Sequence, residues 1–456
     1  MKINDKKPLK RIKELYDTMC NNVDWTYCYM IMIIIIGYVL LHDILGETLL
    51  IHNNWDSYTL QAKAWLDGHI YLDHNYDYLE IAAYKNHYYV SFPPLPSVFM
   101  LPWVMIYGVN TPNNIIMIIY IIIAVTLVYK IARFMKMREV LAAFWAFVTV
   151  FGCNMVWMST MGGVWFQAQL LNMIFCFAAI YAMLNNKRVI SYLCIAFAVG
   201  CRPFSIVYFF VLLIYYYSID KKTVNKNSDK ISNEENKKGK VSSNKKAIIN
   251  IVNTLAIVLK QWKGMVSAAL VGIVYMIYNY ARFDDPLEFG HNYLPEFLEA
   301  SSGQFNLEYV ATNLYRIFIE GVKFNKKMGL EFTQFNGFII FIANPIFLIY
   351  LVYIIKNIVK KNNNEVTRMI ELMTVCNMIL LCFHKTMGGW QFGNRYLVDL
   401  IPFILFYILF TKKREKRINK VAHWERFVGA FAILFNIYGA IIMTIIDLNK
   451  KLNWIR

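Results

Sequence analysis

This sequence has few charged residues and no closely spaced cysteine pairs. Only 17% of its 456 residues are charged, and its eight cysteines include no pair at CxxC spacing. A zinc site and a disulfide framework are therefore not indicated. Hydrophobic residues make up 58% of the chain. They form runs too long and too uniform for a soluble core, such as IMIIIIGYVLL and NNIIMIIYIIIAVTLVY, so the sequence predicts an all-α polytopic membrane protein.

Acidic residues are also scarce. There are 30 Asp and Glu against 47 Lys and Arg, which gives a formal net charge of +17. The basic residues fall in short tracts between apolar segments, as in the cytoplasmic loops of membrane proteins. We therefore predict a lipid bilayer as partner and no nucleic acid. The basic N-terminus precedes an apolar run without a cleavage site, which predicts an uncleaved anchor and a cytoplasmic N-terminus.

The order of apolar and polar segments predicts about eleven transmembrane helices in two halves. Residues 1–217 form the N-terminal half, with a first external loop at 46–112. Residues 218–246 lack apolar periodicity and are predicted to be a disordered, basic cytoplasmic linker. Residues 247–456 form the C-terminal half, with a second large external loop at 281–333.

The first external loop opens with a predicted short helix. Tyr58, Ala62 and Trp65 share one helical face, and Gly68 is a suitable terminator. Asp56 comes just before this helix. It can cap the helix by accepting hydrogen bonds from free backbone amides, or it can act as a general base at headgroup height. The two roles are compatible.

Further along, residues 77–84 and 87–92 are predicted to form two strands joined by a turn at Lys85 and Asn86. Residues 95–108 are apolar but short and contain Pro102. We therefore expect them to form a juxtamembrane or partly inserted helix that does not cross the bilayer fully.

Three arginines lie at the predicted outer ends of spans, namely Arg202, Arg282 and Arg395. The planar guanidinium of arginine binds two phosphate oxygens at once, and charges at membrane depth are costly enough to suggest function. Arginines at span ends also extend to the interface without any further role. Both interpretations stay open for each of the three.

The chain resembles the GT-C superfamily of membrane glycosyltransferases, in particular bacterial relatives of protein O-mannosyltransferases and of the lipid A aminoarabinose transferase. The resemblance spans nearly the whole chain. It rests on the segments WDSYTLQAKAWLDGHIYLD, KNHYYVSFPPLPS, GCRP, YNYARFDDPLEFG and GGWQFGNRYLVDLIPF. It implies a GT-C-like fold with juxtamembrane helices and a small hairpin in the first external loop.

The resemblance also implies a function. Such enzymes transfer a sugar from a polyprenyl-phosphate donor to an acceptor in the cell envelope, at the outer face of a bacterial plasma membrane. Asp56 matches the catalytic aspartate of the first loop. The candidate substrate- and phosphate-binding residues are Arg202, Arg282, Arg395, Tyr58, Trp390, Gln391 and Lys85. No cofactor and no metal site is expected.

Two other classes of protein remain open. The first is a flippase or transporter of lipid-linked sugars, which should show related halves or charges deep within its spans. The second is a non-catalytic assembly partner with the same fold. Ser57 follows Asp56 where many relatives have a second acid, and this difference keeps the second class in view.

Overall fold

Helices make up most of the protein. The computed structural model describes residues 23–235, 254–325 and 329–454, so the predicted cytoplasmic N-terminus lies outside the described residues. The helices are α1 (Trp25–Ile44), α2 (Ser57–Leu66), α3 (Leu95–Tyr107), α4 (Asn113–Phe134), α5 (Glu139–Val150), α6 (Met155–Met158), α7 (Val164–Leu184), α8 (Arg188–Val199), α9 (Phe209–Glu235), α10 (Trp262–Phe283), α11 (Pro295–Leu298), α12 (Glu308–Phe318), α13 (Ile340–Ala343), α14 (Ile346–Val359), α15 (Glu365–Cys382), α16 (Ile401–Arg414) and α17 (His423–Trp454).

Two antiparallel hairpins and several 3-10 turns complete the described part. The strands are β1 (Ile81–Tyr84), β2 (His87–Val90), β3 (Lys323–Asn325) and β4 (Gly329–Glu331). The 3-10 turns are Thr48–Leu50, Gly108–Asn110, Pro203–Tyr208, His291–Tyr293 and Arg395–Leu400.

Six helical segments of the described residues are long and apolar enough to cross a membrane. They are Trp25–Ile44, Asn113–Phe134, Val164–Leu184, Pro203–Lys222, Trp262–Phe283 and His423–Ile446. Four shorter apolar helices accompany them: Leu95–Asn110, Glu139–Val150, Arg188–Val199 and Ile346–Val359. The prediction of a polytopic helical membrane protein is confirmed, whereas the total of eleven crossings stays a prediction.

The centre of the bundle is formed by α7 and α16, which are buried over most of their length. Both are apolar on nearly all sides, as expected for helices surrounded by other helices. The two predicted halves share one hydrophobic core. For example, the rings of Tyr208 and Phe403 stack with their centroids 4.0 Å apart.

The first loop has the local structure that its sequence predicts. Asp56 caps α2, because its side chain accepts hydrogen bonds from the backbone amides of Tyr58 and Thr59. Strands β1 and β2 pair with Tyr84 opposite His87. The two turn residues, Lys85 and Asn86, have φ angles of 46° and 62°, the left-handed conformation of a tight two-residue hairpin turn.

Helix α3 covers the segment that is predicted to be a juxtamembrane helix. Its 13 residues span about 20 Å at 1.5 Å per residue, which is less than the thickness of about 30 Å of a hydrocarbon core. It packs on α2, and Ser97 Oγ donates a hydrogen bond to Gln61 Oε1 at 2.7 Å. The hydrogen bond and the packing tie the two helices of the first loop to each other.

The predicted disordered linker differs from the structure over its first part. Residues 218–235 continue helix α9, whereas 236–246 lie outside the described residues. The apolar start of α9 is packed in the bundle, and a helix that is already nucleated gains one hydrogen bond for each further residue that it fixes. Residues 218–235 are thus helical, and the disordered cytoplasmic linker stays a prediction.

The second loop, predicted at 281–333, begins at the end of α10. It contains the short helices α11 and α12 and the second hairpin. Asn313 on α12 donates hydrogen bonds to the carbonyls of Cys382 and His384. This loop is therefore attached to the C-terminal end of α15.

Candidate active site

A cavity of about 930 Å³ lies where the first loop meets the bundle. This volume is at the upper end of the range of about 300–1,000 Å³ that is usual for small-molecule sites. The lining comes from residues 45, 48, 51–55, 77–80, 160, 161, 163, 165, 166, 389, 390 and 395, together with Asn114 and Thr444. Of the candidate site residues predicted from the sequence, Arg395 and Trp390 line this cavity.

Arg395 is a buried cation in the cavity wall, with 3% of its surface exposed. Its guanidinium donates one long hydrogen bond of 3.4 Å to Gln169 Oε1 and lies over the rings of Tyr396 and Trp165. Its Nε has no hydrogen-bond partner in the described part of the chain, and no carboxylate there forms an ion pair with it. Burying an unpaired charge is costly, and a bound anion would offset that cost.

The turn before Arg395 fixes the position of its backbone. Gln391 is fully buried, accepts a hydrogen bond from the Arg395 amide and donates to the carbonyls of Met387 and Gly388. Gly388 has a φ of +109°, and a Cβ there would lie 2.8 Å from Arg395 Nε. The link between α15 and α16 is thus built to place Arg395, with Gln391 behind it.

Glu80 is a second charged group of the lining, and sequence analysis missed it. Its carboxylate accepts a hydrogen bond of 3.1 Å from Trp165 Nε1. Burial raises the pKa of Glu80, while the Trp165 hydrogen bond and the charge of Arg395 lower it. The available signal was an acidic residue between Leu79 and Ile81, two apolar residues at the start of a predicted strand.

Asp56 lies behind the cavity wall. Its neighbours Asn53 and Trp55 line the cavity, but its own side chain is 1% exposed. Besides capping α2, it accepts hydrogen bonds from Thr59 Oγ1 at 2.6 Å and Asn113 Nδ2 at 2.8 Å. Burial raises the pKa of Asp56, and the hydrogen bonds from Asn113 and Thr59 oppose that rise.

Arg202 is engaged in an ion pair away from the cavity lining. Its Nε donates to Asp399 Oδ2 at 2.9 Å. The other carboxylate oxygen of Asp399 accepts from Asn172 Nδ2 at 3.0 Å. The guanidinium of Arg202 is therefore paired with a carboxylate of the protein, whereas the guanidinium of Arg395 has no such partner among the described residues.

Arg282 joins the first hairpin to α10. It is 2% exposed and donates hydrogen bonds to the Val90 carbonyl at 2.8 Å and to Asn279 Oδ1 at 2.9 Å. Its guanidinium also lies over the ring of Tyr278. These contacts are outside the cavity lining.

Lys85 and Tyr58 also lie outside the cavity lining. Lys85 is exposed at the hairpin turn and forms an ion pair of 2.7 Å with Asp284, the C-cap residue that follows α10. Tyr58 is fully buried, with its ring edge-on to Phe92. The structure thus brings Arg395, Trp390 and Gln391 together, with Arg202 on the same Tyr396 ring as Arg395 but outside the lining. Arg282, Lys85 and Tyr58 lie apart from this group.

Aromatic side chains form much of the remaining wall. Trp55 contacts both Tyr78 and Trp165, with ring centroids 5.9 and 6.1 Å apart. Trp390 packs edge-on against Phe335. Among the described residues, no group of three or more His, Cys, Asp or Glu side chains is placed to hold a metal ion.

No family model matches the chain, and no curated protein matches it by sequence. Its fold is similar to the oligosaccharyltransferase of Archaeoglobus fulgidus in the apo form, at 12% identity and a TM-score of 0.43 over 92% of this chain and 56% of that one. It is also similar to apo ArnT of Cupriavidus metallidurans, at 10% identity and a TM-score of 0.43 over 83% of this chain and 59% of that one.

A second structure of that ArnT, bound to undecaprenyl phosphate, is similar at 10% identity and a TM-score of 0.39 over 83% of this chain and 60% of that one. The chain therefore spans a little over half the length of these proteins. At these identities the similarity concerns the fold alone and assigns no role to any residue.

Proposed function

We propose that this protein is an integral membrane glycosyltransferase that transfers a sugar from a polyprenyl-phosphate donor to a glycan, lipid or protein of the cell envelope. The observation that carries the proposal is Arg395, a buried cation with no ion-pair partner among the described residues, in the wall of a cavity that also holds Glu80. The cation suits a phosphate. The carboxylate suits the hydroxyl group of an acceptor.

The position of the cavity suits a donor with a lipid tail. Leu45 and Ile51, which follow α1, are part of the lining. Helix α1 is long and apolar enough to cross the membrane, but only 22% of the residues in its apolar stretch are buried inside the protein. The rest of its surface is therefore available to lipid. A polyprenyl chain can therefore lie along α1 in the bilayer while its phosphate reaches Arg395.

The aromatic wall suits the sugar. Trp55, Tyr78, Trp165 and Trp390 all contribute to the lining. Aromatic rings offer flat apolar faces with polar edges, and the apolar face of a sugar ring packs well on such a surface. The donor sugar would then lie between the phosphate at Arg395 and the open side of the cavity.

Arg395 would also promote the reaction. When the bond between the sugar and the phosphate breaks, negative charge increases on the departing polyprenyl phosphate. A cation held in place beforehand stabilises that charge in the transition state, a contribution of about 10²–10³ in rate for a single donor group. We place this site at the outer face of a bacterial plasma membrane, because Lys and Arg concentrate in the predicted loops on the opposite side.

The test is sugar release by the purified protein. Detergent-solubilised or reconstituted protein is incubated with radiolabelled sugars linked to undecaprenyl phosphate, and freed lipid phosphate and transferred label are measured. We expect transfer from at least one donor and none from the corresponding nucleotide sugar. In intact cells, an impermeant maleimide should label Asn75→Cys in the first loop but not Lys413→Cys at the end of α16.

Three results would contradict the proposal. Movement of a fluorescent lipid-linked sugar across reconstituted vesicles without sugar release would favour a flippase. Neither release nor movement, with undecaprenyl phosphate still bound, would favour a non-catalytic partner. Labelling of Lys413→Cys alone would place the site on the cytoplasmic side.

A further inference from the structure

Asp56 is the acid that the sequence predicts as catalytic, but its carboxylate oxygens are already occupied. Oδ1 accepts hydrogen bonds from the amides of Tyr58 and Thr59 at 3.1 and 3.3 Å. Oδ2 accepts from Thr59 Oγ1 and Asn113 Nδ2. An acceptor hydroxyl could reach Asp56 only by displacing one of these donors inside a buried site.

Glu80 is placed differently, because its side chain lines the cavity. Trp165 Nε1 donates to Oε2, and no other hydrogen bond to this carboxylate occurs in the described part of the chain. Oε1 is therefore available to a bound molecule. The backbone of Glu80 is held in place, since Ser91 Oγ donates to its carbonyl at 2.8 Å.

Trp165 connects this carboxylate to the candidate phosphate site. Its indole N–H holds Glu80, and the guanidinium carbon of Arg395 lies 5.9 Å from the centroid of its ring. A sugar whose phosphate contacts Arg395 would thus have Glu80 close to the carbon that reacts.

The lining holds two further groups that could act as a base, His52 and Asp77. His52 Nδ1 is hydrogen-bonded to the Thr111 carbonyl at 2.7 Å, and Asp77 Oδ1 accepts a hydrogen bond from Asn75 Nδ2 at 2.7 Å. Neither residue contacts Trp165 or Arg395 through a hydrogen bond or ion pair among the described residues.

We propose that Glu80 is the catalytic base of the transfer and that Asp56 is a positioning residue that starts α2 and fixes Asn113. This inference rests on the proposed function. The acceptor hydroxyl gives its proton to Glu80, and its oxygen forms a bond to the anomeric carbon. The bond from that carbon to the phosphate oxygen breaks, and the electron pair leaves with the polyprenyl phosphate beside Arg395.

The first test compares Glu80→Gln with Asp73→Asn, a control that removes one acidic charge from the same loop outside the cavity lining. Glu80→Gln should slow transfer at least about a hundredfold, the lower range for loss of a general base. Binding of undecaprenyl phosphate should stay within twofold of the wild-type value. Asp73→Asn should stay within threefold of wild type in both measurements.

Rescue by azide distinguishes a catalytic base from a residue that only supports the structure. It is already an anion and needs no base, so it can attack the anomeric carbon of the same donor directly. We expect azide to raise donor turnover by Glu80→Gln at least tenfold, with formation of a glycosyl azide.

Asp56→Asn should lose thermal stability because an amide cannot satisfy both Thr59 Oγ1 and Asn113 Nδ2, and azide should not rescue it.

Trp165→Phe gives an independent test through the pH profile. The transfer rate should rise with pH as Glu80 loses its proton. A hydrogen bond to the charged carboxylate lowers its pKa, so removing the indole N–H should raise that pKa. The acidic limb of the profile should therefore move to higher pH in Trp165→Phe and disappear in Glu80→Gln.

The possible failures are distinguishable. A wild-type protein that releases no polyprenyl phosphate from any donor overturns the proposed function and the assignment with it. An active wild type with Glu80→Gln within threefold of it overturns only the assignment. In that case, rescue of Asp56→Asn or His52→Asn by azide identifies the base.

Discussion

Arg202 and Arg395 lie over the same aromatic ring but have opposite electrostatic surroundings. Their guanidinium carbons are 4.8 and 5.0 Å from the centroid of Tyr396. Arg202 forms an ion pair with Asp399, which also accepts a hydrogen bond from Asn172. Arg395 has a long hydrogen bond to Gln169 and no ion pair among the described residues.

The difference separates two uses of a buried arginine. A paired charge belongs to the fold, because removing one partner leaves the other buried and unsatisfied. An unpaired charge destabilises the fold and requires another reason to be there. The two residues should therefore respond in opposite ways to substitution, one in stability and the other in turnover.

The largest expected effect is on the stability of Arg202→Met. This change leaves Asp399 buried without its cation, and breaking such a pair costs about 3–5 kcal/mol. The melting temperature in detergent should fall clearly. The double variant Arg202→Met/Asp399→Asn removes the stranded charge and should recover at least half of the loss. A melting temperature close to wild type for Arg202→Met alone would show that this ion pair does not hold the fold.

The next effect is on turnover by Arg395→Ala, which should fall about 10²–10³-fold because a preplaced cation no longer stabilises the leaving phosphate. Its melting temperature should stay unchanged or rise, since the substitution removes an unpaired buried charge. Arg395→Lys should recover only part of the activity, because an ammonium does not reproduce the planar geometry of a guanidinium. A folded Arg395→Ala variant with wild-type kinetics would contradict the phosphate-binding role.

The smallest effect is expected for Lys85→Ala. Lys85 and Asp284 are both largely exposed at the hairpin turn, and such surface pairs contribute little to stability because water and salt screen them. Stability and turnover should both remain near wild type, and Asp284→Ala serves as the matched control. A loss of turnover above tenfold in Lys85→Ala but not in Asp284→Ala would restore the sequence prediction that Lys85 contacts substrate.

Local structure in the first loop was predictable. A capping residue followed by a periodic apolar face predicted α2, and the Lys85-Asn86 turn between two apolar runs predicted the hairpin. Both depend on interactions within about ten residues, which a sequence displays directly. The extension of α9 into the polar residues 218–235 was missed. A polar composition is common both to disordered segments and to helices that extend beyond a packed bundle, so composition alone does not distinguish the two.

The candidate site was only partly predictable. Asp56, Arg202 and Arg395 were singled out by residue type and position, but residue type does not show whether a charge has a partner. Asp56 is surrounded by donors, and one of them comes from Asn113, 57 positions further along the chain. Glu80 resembled an ordinary strand residue because the group that holds it, Trp165, lies 85 positions away.

The sequence by itself determined that this is a helical membrane protein with a structured first loop, because long apolar runs, capping residues and turns act over short stretches of chain. Only the tertiary structure decided which charges are satisfied and which line the cavity. The pairs that distinguish Arg202 from Arg395 join residues 197 and 226 positions apart. Such contacts form when helices pack, and their electrostatic consequences follow from burial in a low-dielectric interior, which no local pattern displays.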